Sequence, residues 1–387
     1  MEIILLNRTA RILSGHPWVF SNELRVSPKR YEPGSLLELR DRKNNFIGIG
    51  YINPHSLIAI RILTRKREEI NHDFFRKRIL QAIEYRNRFL EERESFRVIY
   101  SEGDCLPGLI VDKYGNSLSI QFLTLGMERW SEIVIEILDE IFSPSLTVLR
   151  NDSQARLLEG LEIEKGIIKG ELKECLMIKE NSLFFEVDPL SGQKTGFFLD
   201  QRENRIAFSR LIGNGIGLDL FCYSGAWALH LANRGADVIG IDNSDYAISQ
   251  AKRNAELNRL SDRCKFIKGE VFKFLRDEVS SGNHYDFIVL DPPAFVKSKS
   301  KLKEALRAYR EINSNAFKLL SRGGLIATSS CSHHISRELF MDMLRSSAKE
   351  AGREVRLIEM RSQTKDHPVL ISVPETEYLK CAFLKVD

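Results

Sequence analysis

From about residue 200 onward, short apolar runs alternate regularly with segments of helical length. The runs are rich in β-branched and aliphatic residues, which favour strands. Strands separated by helices form βαβ units, so the pattern predicts a mostly parallel sheet with helices on both faces. The predicted parallel strands are Gly217–Cys222, Asp237–Asp242, Lys265–Glu270, Asp286–Asp291 and Gly324–Ser329. Two later runs, Glu354–Met360 and Tyr378–Val386, are candidates for an edge hairpin. The expected fold class is an α/β, Rossmann-like domain with a mostly parallel seven-stranded sheet.

Two regions of different character precede this domain in the 387-residue chain. Residues 1–68 contain short strand signals separated by polar turns, a pattern typical of a small β-barrel. Residues 73–185 mix helix and strand patterns and are expected to form a central α+β domain. The third domain then covers residues 186–387.

Charge is distributed unevenly along the chain. Residues 1–67 contain 12 Lys and Arg but only 5 Asp and Glu. Such an excess suggests an anionic partner, and nucleic acid is the commonest one in the cytosol. A solvated basic face explains the excess equally well.

The remaining composition excludes several classes of protein. Apolar runs are too short to span a membrane, and the N-terminus lacks the features of a signal peptide. The six cysteines form no C-x-x-C pair, which argues against a zinc site or a disulfide framework. We therefore expect a cytosolic protein with free thiols and no metal.

The predicted strand ends carry a set of residues suited to a nucleoside ligand. Ligands of open α/β sheets bind at the carboxyl ends of the strands. The first strand leads into the loop Asp219–Gly225, whose one glycine does not fit the G-x-G-x-x-G pattern for a pyrophosphate. A nucleoside without phosphate is therefore favoured, and S-adenosylmethionine fits this description. The candidate cofactor residues on these loops are Asp219, Phe221, Ser224, Gly225, Asp242, Glu270 and Val271.

The fourth strand ends in Asp291-Pro292-Pro293-Ala294-Phe295. Two prolines stiffen this loop, and an acid beside an aromatic ring can hydrogen-bond and stack on a planar base. Pro292 and Phe295 are therefore candidate substrate residues, and Asp291 is a candidate catalytic residue. Lys297, in the lysine run after this loop, is a candidate contact to RNA phosphates, although a solvated loop explains that run at least equally well. The alternative is a turn that merely starts a helix.

Cys331 follows the fifth strand, among hydroxyl residues and beside His333 and His334. A nearby histidine or a helix N-terminus would lower the pKa of this thiol, whereas the other five cysteines are expected to be core residues. A thiolate that adds to C6 of a pyrimidine activates C5 for methylation. Methylation of an exocyclic amine needs no thiol, and an inert Cys331 is the alternative.

Several segments together resemble a known family. Gly15–Phe20 and Gly48–Pro54 resemble PUA segments, and Glu102–Asp112 resembles the central module of the same proteins. Gln193–Arg202, Asp219–Gly225, Asp291–Phe295 and Ser330-Cys331-Ser332 match the remaining motifs in order. The whole chain is thus similar to PUA-domain-containing, S-adenosylmethionine-dependent methyltransferases that form 5-methylcytosine in large-subunit ribosomal RNA.

The resemblance implies roles for individual residues. Cys331 would be the nucleophile, and Asp291 would hold a cytosine flipped out of its RNA. The cofactor would also contact residues of the entering segment and of the Asp-Pro-Pro loop: Gln193, Thr195, Phe198, Asp200, Arg202 and Asp291. A class I methyltransferase domain, a PUA-like barrel and a homodimer are further implications.

One departure concerns the catalytic cycle. Many RNA cytosine-C5 methyltransferases carry a second cysteine after the proline of the Asp-x-Pro loop, where this chain has Pro293-Ala294. A single-cysteine cycle follows, with no assigned base for the C5 proton. Two alternatives remain open: a guanine or adenine methyltransferase in which Cys331 is incidental, and a non-catalytic RNA-binding assembly factor.

Overall fold

The computed structural model describes residues 1–295 and 301–387. The chain divides into two compact units. The first unit comprises residues Met1–Ile178, Val187–Leu199 and Lys365–Thr376. The second comprises Lys179–Glu186, Asp200–Thr364 and Glu377–Asp387. The division into three domains at residues 68, 73 and 186 therefore stays a prediction.

In the first unit, the described N-terminal residues form a five-stranded sheet with the order β1-β3-β4-β5-β2. Glycine at position 50 on β4 allows a close approach to the neighbouring strand β5, since a Cβ there would lie 2.4 Å from the Arg61 carbonyl oxygen. The elements are β1 Glu2–Leu5, α1 Ala10–Leu13, β2 Trp18–Val19, β3 Leu36–Arg40, β4 Phe46–Ile52 and β5 Ile60–Thr64.

A second sheet in this unit has the order β10-β9-β8-β7-β6 among the described strands. Helices α2 and α4 supply buried aliphatic and aromatic side chains to the same core as this sheet. The elements are α2 His72–Phe89, β6 Ser95–Tyr100, β7 Leu109–Tyr114, β8 Ser117–Phe122, α3 Leu125–Glu128, α4 Ser131–Phe142, β9 Leu146–Asn151 and β10 Glu164–Lys169. Strands β11 Leu176–Glu180 and β12 Leu183–Val187 then pair with each other.

The second unit contains a seven-stranded sheet, counted over the described residues, with the order β15-β14-β13-β16-β17-β19-β18. Strands β13 to β17 are parallel, and β19 runs antiparallel between β17 and β18. The strands are β13 Ile216–Leu220, β14 Asp237–Asp242, β15 Cys264–Lys268, β16 Tyr285–Leu290, β17 Leu320–Ser330, β18 Val355–Arg361 and β19 Lys380–Val386. The helices are α5 Arg202–Ser209, α6 Ala226–Ala232, α7 Asp245–Leu257, α8 Val271–Ser281, α9 Leu302–Leu319 and α10 Arg337–Ala351.

The predicted alternation is confirmed. Most strand ends are shifted by no more than two residues, whereas β17 begins at Leu320, four residues before the predicted start at Gly324. All five predicted parallel strands exist, and both late runs join the sheet as β18 and β19. The core consists of apolar strand residues such as Leu218, Ile288 and Ile326, packed against buried residues of α9 and α10. Continuous apolar strands are expected where helices cover both faces of a parallel sheet.

Candidate active site

Five parallel strands of the second unit end at one edge of the sheet. The chain order reverses between β13 and β16, which are neighbours in the sheet. A crevice at such a reversal is where ligands of open α/β sheets bind. The loops after β13 and β16 flank this crevice, and both carry predicted site residues.

The loop after β13 has an unusual main-chain conformation. Phe221, Tyr223 and Gly225 have φ angles of 66°, 45° and 77°. Left-handed conformations are unfavourable for residues other than glycine and often mark functional sites. At Gly225, a Cβ would lie 2.8 Å from the Phe266 ring, so only glycine fits there. Ser224 is buried, and its carbonyl oxygen accepts a hydrogen bond from Asn254 at 2.9 Å.

Asp219 is a fully buried carboxyl group on β13. Its Oδ2 accepts a hydrogen bond from the Ala228 N–H at 3.0 Å, while Oδ1 has no hydrogen-bond partner among the described residues. Burial raises the pKa of Asp219 to about 8, and the carboxylates of Asp291 and Asp242 act in the same direction. A buried oxygen without a partner is costly. A ligand that brings a donor, above all a cationic one, would therefore fit here.

Asp242 holds the first loop in place from the end of β14. Its Oδ2 accepts the Tyr223 N–H and its Oδ1 accepts the Ser244 N–H, both at 3.0 Å. The side chain is half-exposed. Because each carboxylate oxygen can accept more than one hydrogen bond, Asp242 retains capacity for ligand hydroxyls.

Glu270 and Val271 have structural roles that the sequence did not reveal. Glu270 caps α8, since its carboxylate accepts the N–H groups of Phe272 at 3.0 Å and Lys273 at 2.7 Å. Val271 is buried in the core of the second unit. Both residues nevertheless begin the loop-to-helix turn after β15, at the predicted edge of the sheet.

Asp291 is oriented by two donors. Gln201 Nε2 donates to Oδ1 at 2.9 Å, and Trp227 Nε1 donates to Oδ2 at 3.1 Å. Gln201 is itself held by Asn204, whose Nδ2 donates to Oε1 at 2.7 Å. Sequence reasoning missed Gln201, Trp227 and Asn204. Gln201 stands between the predicted Asp200 and Arg202, so its position in that segment was the available signal.

Phe295 belongs to a cluster of aromatic rings. Its ring centroid lies 4.7 Å from that of Tyr309, 5.8 Å from that of Phe272 and 6.2 Å from that of Phe221. These contacts connect the Asp-Pro-Pro loop to α9 and to the loop after β13. Lys297 and the neighbouring lysine at position 299 lie outside the described residues.

Cys331 is half-buried and directly follows β17. Its Sγ lies 3.9 Å from the carbonyl oxygen of Pro292, which is buried. Burial raises the pKa of the Cys222, Cys264 and Cys381 thiols, which are core residues as expected. The expectation was wrong for Cys175, which is exposed because it stands in a polar surface segment before β11.

The segment Gln193–Arg202 contributes to both units. Thr195 is buried in the first unit, where its hydroxyl donates to Asp112 and lies 3.0 Å from the Tyr114 hydroxyl. The Lys194 ammonium lies over the Phe198 ring, with 4.5 Å between Nζ and the ring centroid. The main-chain carbonyl of Gln193 accepts a hydrogen bond from the Gly196 N–H. In the second unit, Asp200 and Arg202 are both buried, and Asp200 accepts the Tyr378 hydroxyl. Their cofactor roles stay predictions.

Two further properties concern the described part of the chain. Residues 1–295 and 301–387 contain no group of three or more His, Cys, Asp or Glu side chains placed to hold a metal ion. Over the same ranges, every helix is too short or too polar to cross a bilayer.

Comparisons with known proteins match this architecture. Residues 3–65 match a PUA-like domain, and residues 214–372 match a methyltransferase domain. The fold is shared with a SAM-dependent methyltransferase from Streptococcus mutans (TM-score 0.85, 20% identity, both chains fully covered). It is also shared with a methyltransferase solved in complex with SAH (TM-score 0.86, 18% identity, both chains fully covered). The predicted fold class, a PUA-like domain with an S-adenosylmethionine-dependent methyltransferase domain, is confirmed.

Curated relatives match over nearly the full length. Ribosomal RNA large subunit methyltransferase I of Pseudoalteromonas atlantica is 35% identical over 384 residues, which cover 98% of this chain and 97% of the relative. The protein of the same name from Cronobacter sakazakii is 36% identical with the same coverage. The chain therefore belongs to the ribosomal RNA large subunit methyltransferase I family.

Proposed function

We propose that this protein transfers a methyl group from S-adenosylmethionine to carbon 5 of a cytosine in large-subunit ribosomal RNA, through a covalent bond between Cys331 and C6. Methyl transfer to large-subunit ribosomal RNA follows from the family to which the chain belongs. The choice of C5 depends on one observation. A half-buried thiol, Cys331, lies 3.9 Å from the Pro292 carbonyl, directly beside Asp291.

The cofactor part of the site fits S-adenosylmethionine. When bound, this cofactor supplies an electrophilic methyl group and a cationic amino group. The unpartnered Oδ1 of Asp219 would accept a hydrogen bond from that amino group, and Asp242 would accept ribose hydroxyls. Phe221, Ser224 and Gly225 would line the same crevice, with Glu270 and Val271 at its adenine end. Gln193, Thr195, Phe198, Asp200 and Arg202 remain further candidates.

The target part of the site fits an unpaired base. Asp291 is held by Gln201 and Trp227, so its carboxylate has a fixed direction. In this position it would accept a hydrogen bond from the exocyclic amine of cytosine, while Pro292 and Phe295 form the wall beside it. Extraction of a base from its stack costs a few kcal/mol (roughly), which such contacts offset.

The covalent step explains why a thiol is needed. Attack by the Cys331 thiolate forms an Sγ–C6 bond and moves the C5–C6 π pair onto C5. C5 then takes the methyl group, and the donor sulfur keeps the pair of the broken bond. Loss of the C5 proton to a base returns its electron pair to C5–C6, and the Sγ–C6 bond breaks. The chain then carries a thiolate again, so the cycle closes.

Two other functions would use the same fold. A guanine or adenine methyltransferase would use Asp291 and Phe295 without Cys331, and a non-catalytic assembly factor would bind RNA without turnover. Nucleoside analysis of large-subunit ribosomal RNA from cells with and without the gene separates the three. We expect 5-methylcytosine to decrease and to return with the wild-type gene. Loss of a methylated purine, or of no methylated base, would contradict the proposal.

A further inference from the structure

Lys380 is a buried cation beside Cys331, and the sequence pattern gave no signal for it. It is the first residue of β19, where it pairs with Ser330 of β17, the residue before Cys331. Only 5% of Lys380 is exposed. Its Nζ donates to the Ser332 carbonyl at 2.6 Å and to the Tyr378 carbonyl at 2.8 Å. The ammonium is therefore fixed against the main chain of the residue that follows Cys331.

Within residues 1–295 and 301–387, no carboxylate forms an ion pair with this ammonium. No described carboxylate oxygen lies within 4.0 Å of Lys380 Nζ, although such ion pairs occur at many other lysines and arginines of the chain. A buried charge is costly unless an opposite charge compensates it. Burial lowers the pKa of Lys380 to about 8, whereas charge interactions with Cys331 and Glu377 oppose this shift. An anion at Cys331 would supply the missing compensation.

Other titratable groups near Cys331 do not replace Lys380. Tyr309 on α9 is buried, and burial raises its pKa, so it stays neutral. Asp291, on the loop after β16, would oppose a second negative charge. His333 and His334 are both exposed, with the His333 ring 5.7 Å from the Tyr378 ring. The histidines named from the sequence are therefore less suited than Lys380 to stabilise a buried anion.

We propose that Lys380 is a positioning residue that holds Cys331 in its thiolate form, both before attack on the base and when the thiolate is expelled. This inference rests on the proposed role of Cys331 as nucleophile. At pH 7, below the Lys380 pKa of about 8, the ammonium keeps its three protons through the cycle, and the thiol proton leaves to solvent. A fixed positive charge nearby favours the charged form of a thiol. The same charge stabilises the leaving thiolate when the Sγ–C6 bond breaks.

The test is the pH dependence of Cys331 alkylation by iodoacetamide in the full-length protein. The modified peptide is quantified by mass spectrometry, which separates Cys331 from the other cysteines. Wild-type Cys331 should react with a midpoint below the ordinary cysteine pKa of about 8.5. Lys380→Gln keeps a polar N–H donor in the side chain but lacks the charge. It should raise the midpoint by about one pH unit or more.

Two further variants make the comparison specific. Lys380→Arg keeps the charge and should keep the low midpoint. Lys385→Gln removes a lysine from the same strand, where its side chain is 45% exposed, and should change nothing. Methyl transfer by Lys380→Gln should fall about tenfold at pH 7 and recover at higher pH, as expected for a shifted thiol pKa and not for a damaged fold.

Each outcome is informative. An unchanged midpoint in folded Lys380→Gln would overturn the inference. If that variant does not fold, a wild-type midpoint at or above the ordinary cysteine value would overturn it equally. Loss of methyl transfer in Cys331→Ala, together with a midpoint that is independent of Lys380, would reject Lys380 and leave the proposed function standing. Normal methyl transfer in Cys331→Ala would reject the proposed function itself.

Discussion

The Sγ atom of Cys331 lies 3.9 Å from the main-chain carbonyl oxygen of Pro292. This contact joins the loop after β17 to the loop after β16, although 39 residues separate the two positions. The candidate nucleophile and the candidate base-binding acid, Asp291, thus belong to one local structure. Asp291 follows β16 and Cys331 follows β17, and these two neighbouring parallel strands end at the same edge of the sheet.

The first prediction tests the nucleophile. RNA that carries 5-fluorocytosine at the target should form a stable covalent complex with the wild-type protein, because fluorine cannot leave as a proton does. Cys331→Ala should abolish the complex and methyl transfer, while cofactor binding measured by calorimetry should persist. Cys222→Ala is the control, since this buried residue lies in the cofactor loop and should still permit trapping. Near-normal methylation by Cys331→Ala would favour amine methylation.

A second prediction concerns Asp242. Asp242→Ala should weaken S-adenosylmethionine binding by about tenfold or more, because it removes a charge-assisted acceptor and releases the Tyr223 N–H. Asp245→Ala is a suitable control, because Asp245 is exposed nearby and pairs with Lys268. Calorimetry on folded protein measures both. Equal affinities for wild type and Asp242→Ala would remove this residue from the cofactor site.

Asp219 should make stability depend on pH. Burial raises its pKa from 3.8 to about 8, so between these values the folded state holds a proton that the unfolded state has lost. Stability from this group is complete below pH 4 and is lost as the pH rises toward 8. Asp219→Asn removes this dependence. In the absence of cofactor, the unfolding free energy of Asp219→Asn minus that of the wild type should increase by about 2 kcal/mol from pH 5.5 to 7.5.

Urea unfolding at several pH values checks the Asp219 prediction. Asp237→Asn is the matched control, because Asp237 is exposed on the neighbouring strand and pairs with Arg263 at 3.3 Å. Its curve should run parallel to that of the wild type. A parallel curve for Asp219→Asn would show that this carboxyl group titrates alike in the folded and unfolded states.

Gln201 should affect catalysis more than cofactor affinity. Gln201→Leu removes the Nε2 donor to Asp291 Oδ1, so the carboxylate loses a contact that sets its direction. Methyl transfer should fall about tenfold to a hundredfold, since misplaced catalytic groups are costly. In a double-mutant cycle with Asp291→Asn, the two losses should be non-additive. Additive losses would mean that Gln201 acts through another group.

The basic N-terminal region should bind RNA through its phosphates. Deletion of this region is unsuitable, because Tyr51 is buried there and its hydroxyl donates to the Pro107 carbonyl at 2.8 Å. Instead, alanine should replace three exposed residues: Arg25, Arg30 and Arg42. RNA binding should weaken. The slope of log binding constant against log salt concentration should become shallower by about 0.7 for each lost phosphate contact. Cofactor affinity should not change.

A matched charge-removal control lies on α10 of the second unit. Arg337, Arg345 and Lys349 are exposed there, so their triple alanine variant removes the same charge elsewhere. Fluorescence anisotropy at several salt concentrations compares the two variants. Equal effects would indicate a general effect of net charge rather than a phosphate-binding surface in residues 1–67.

The sequence by itself determined the sheet and the positions of its strand-end residues. Alternation of apolar runs and helical segments was sufficient to predict β13 to β17, because a parallel sheet requires a crossover between strands. Once the strands are parallel, their carboxyl ends must meet at one edge. Asp219, Asp242, Asp291 and Cys331 were therefore predictable as neighbours of one crevice.

Tertiary structure alone decided which groups surround those residues. Lys380 comes to Cys331 only because β19 inserts antiparallel between β17 and β18, and no local pattern encodes that insertion. Gln201, which precedes β13 in the chain, and Trp227, which follows it on α6, both donate to Asp291. Glu270, predicted as a ligand, proved to cap α8. Local periodicity specifies elements, whereas pairing between distant segments depends on burial and hydrogen bonding across the whole fold.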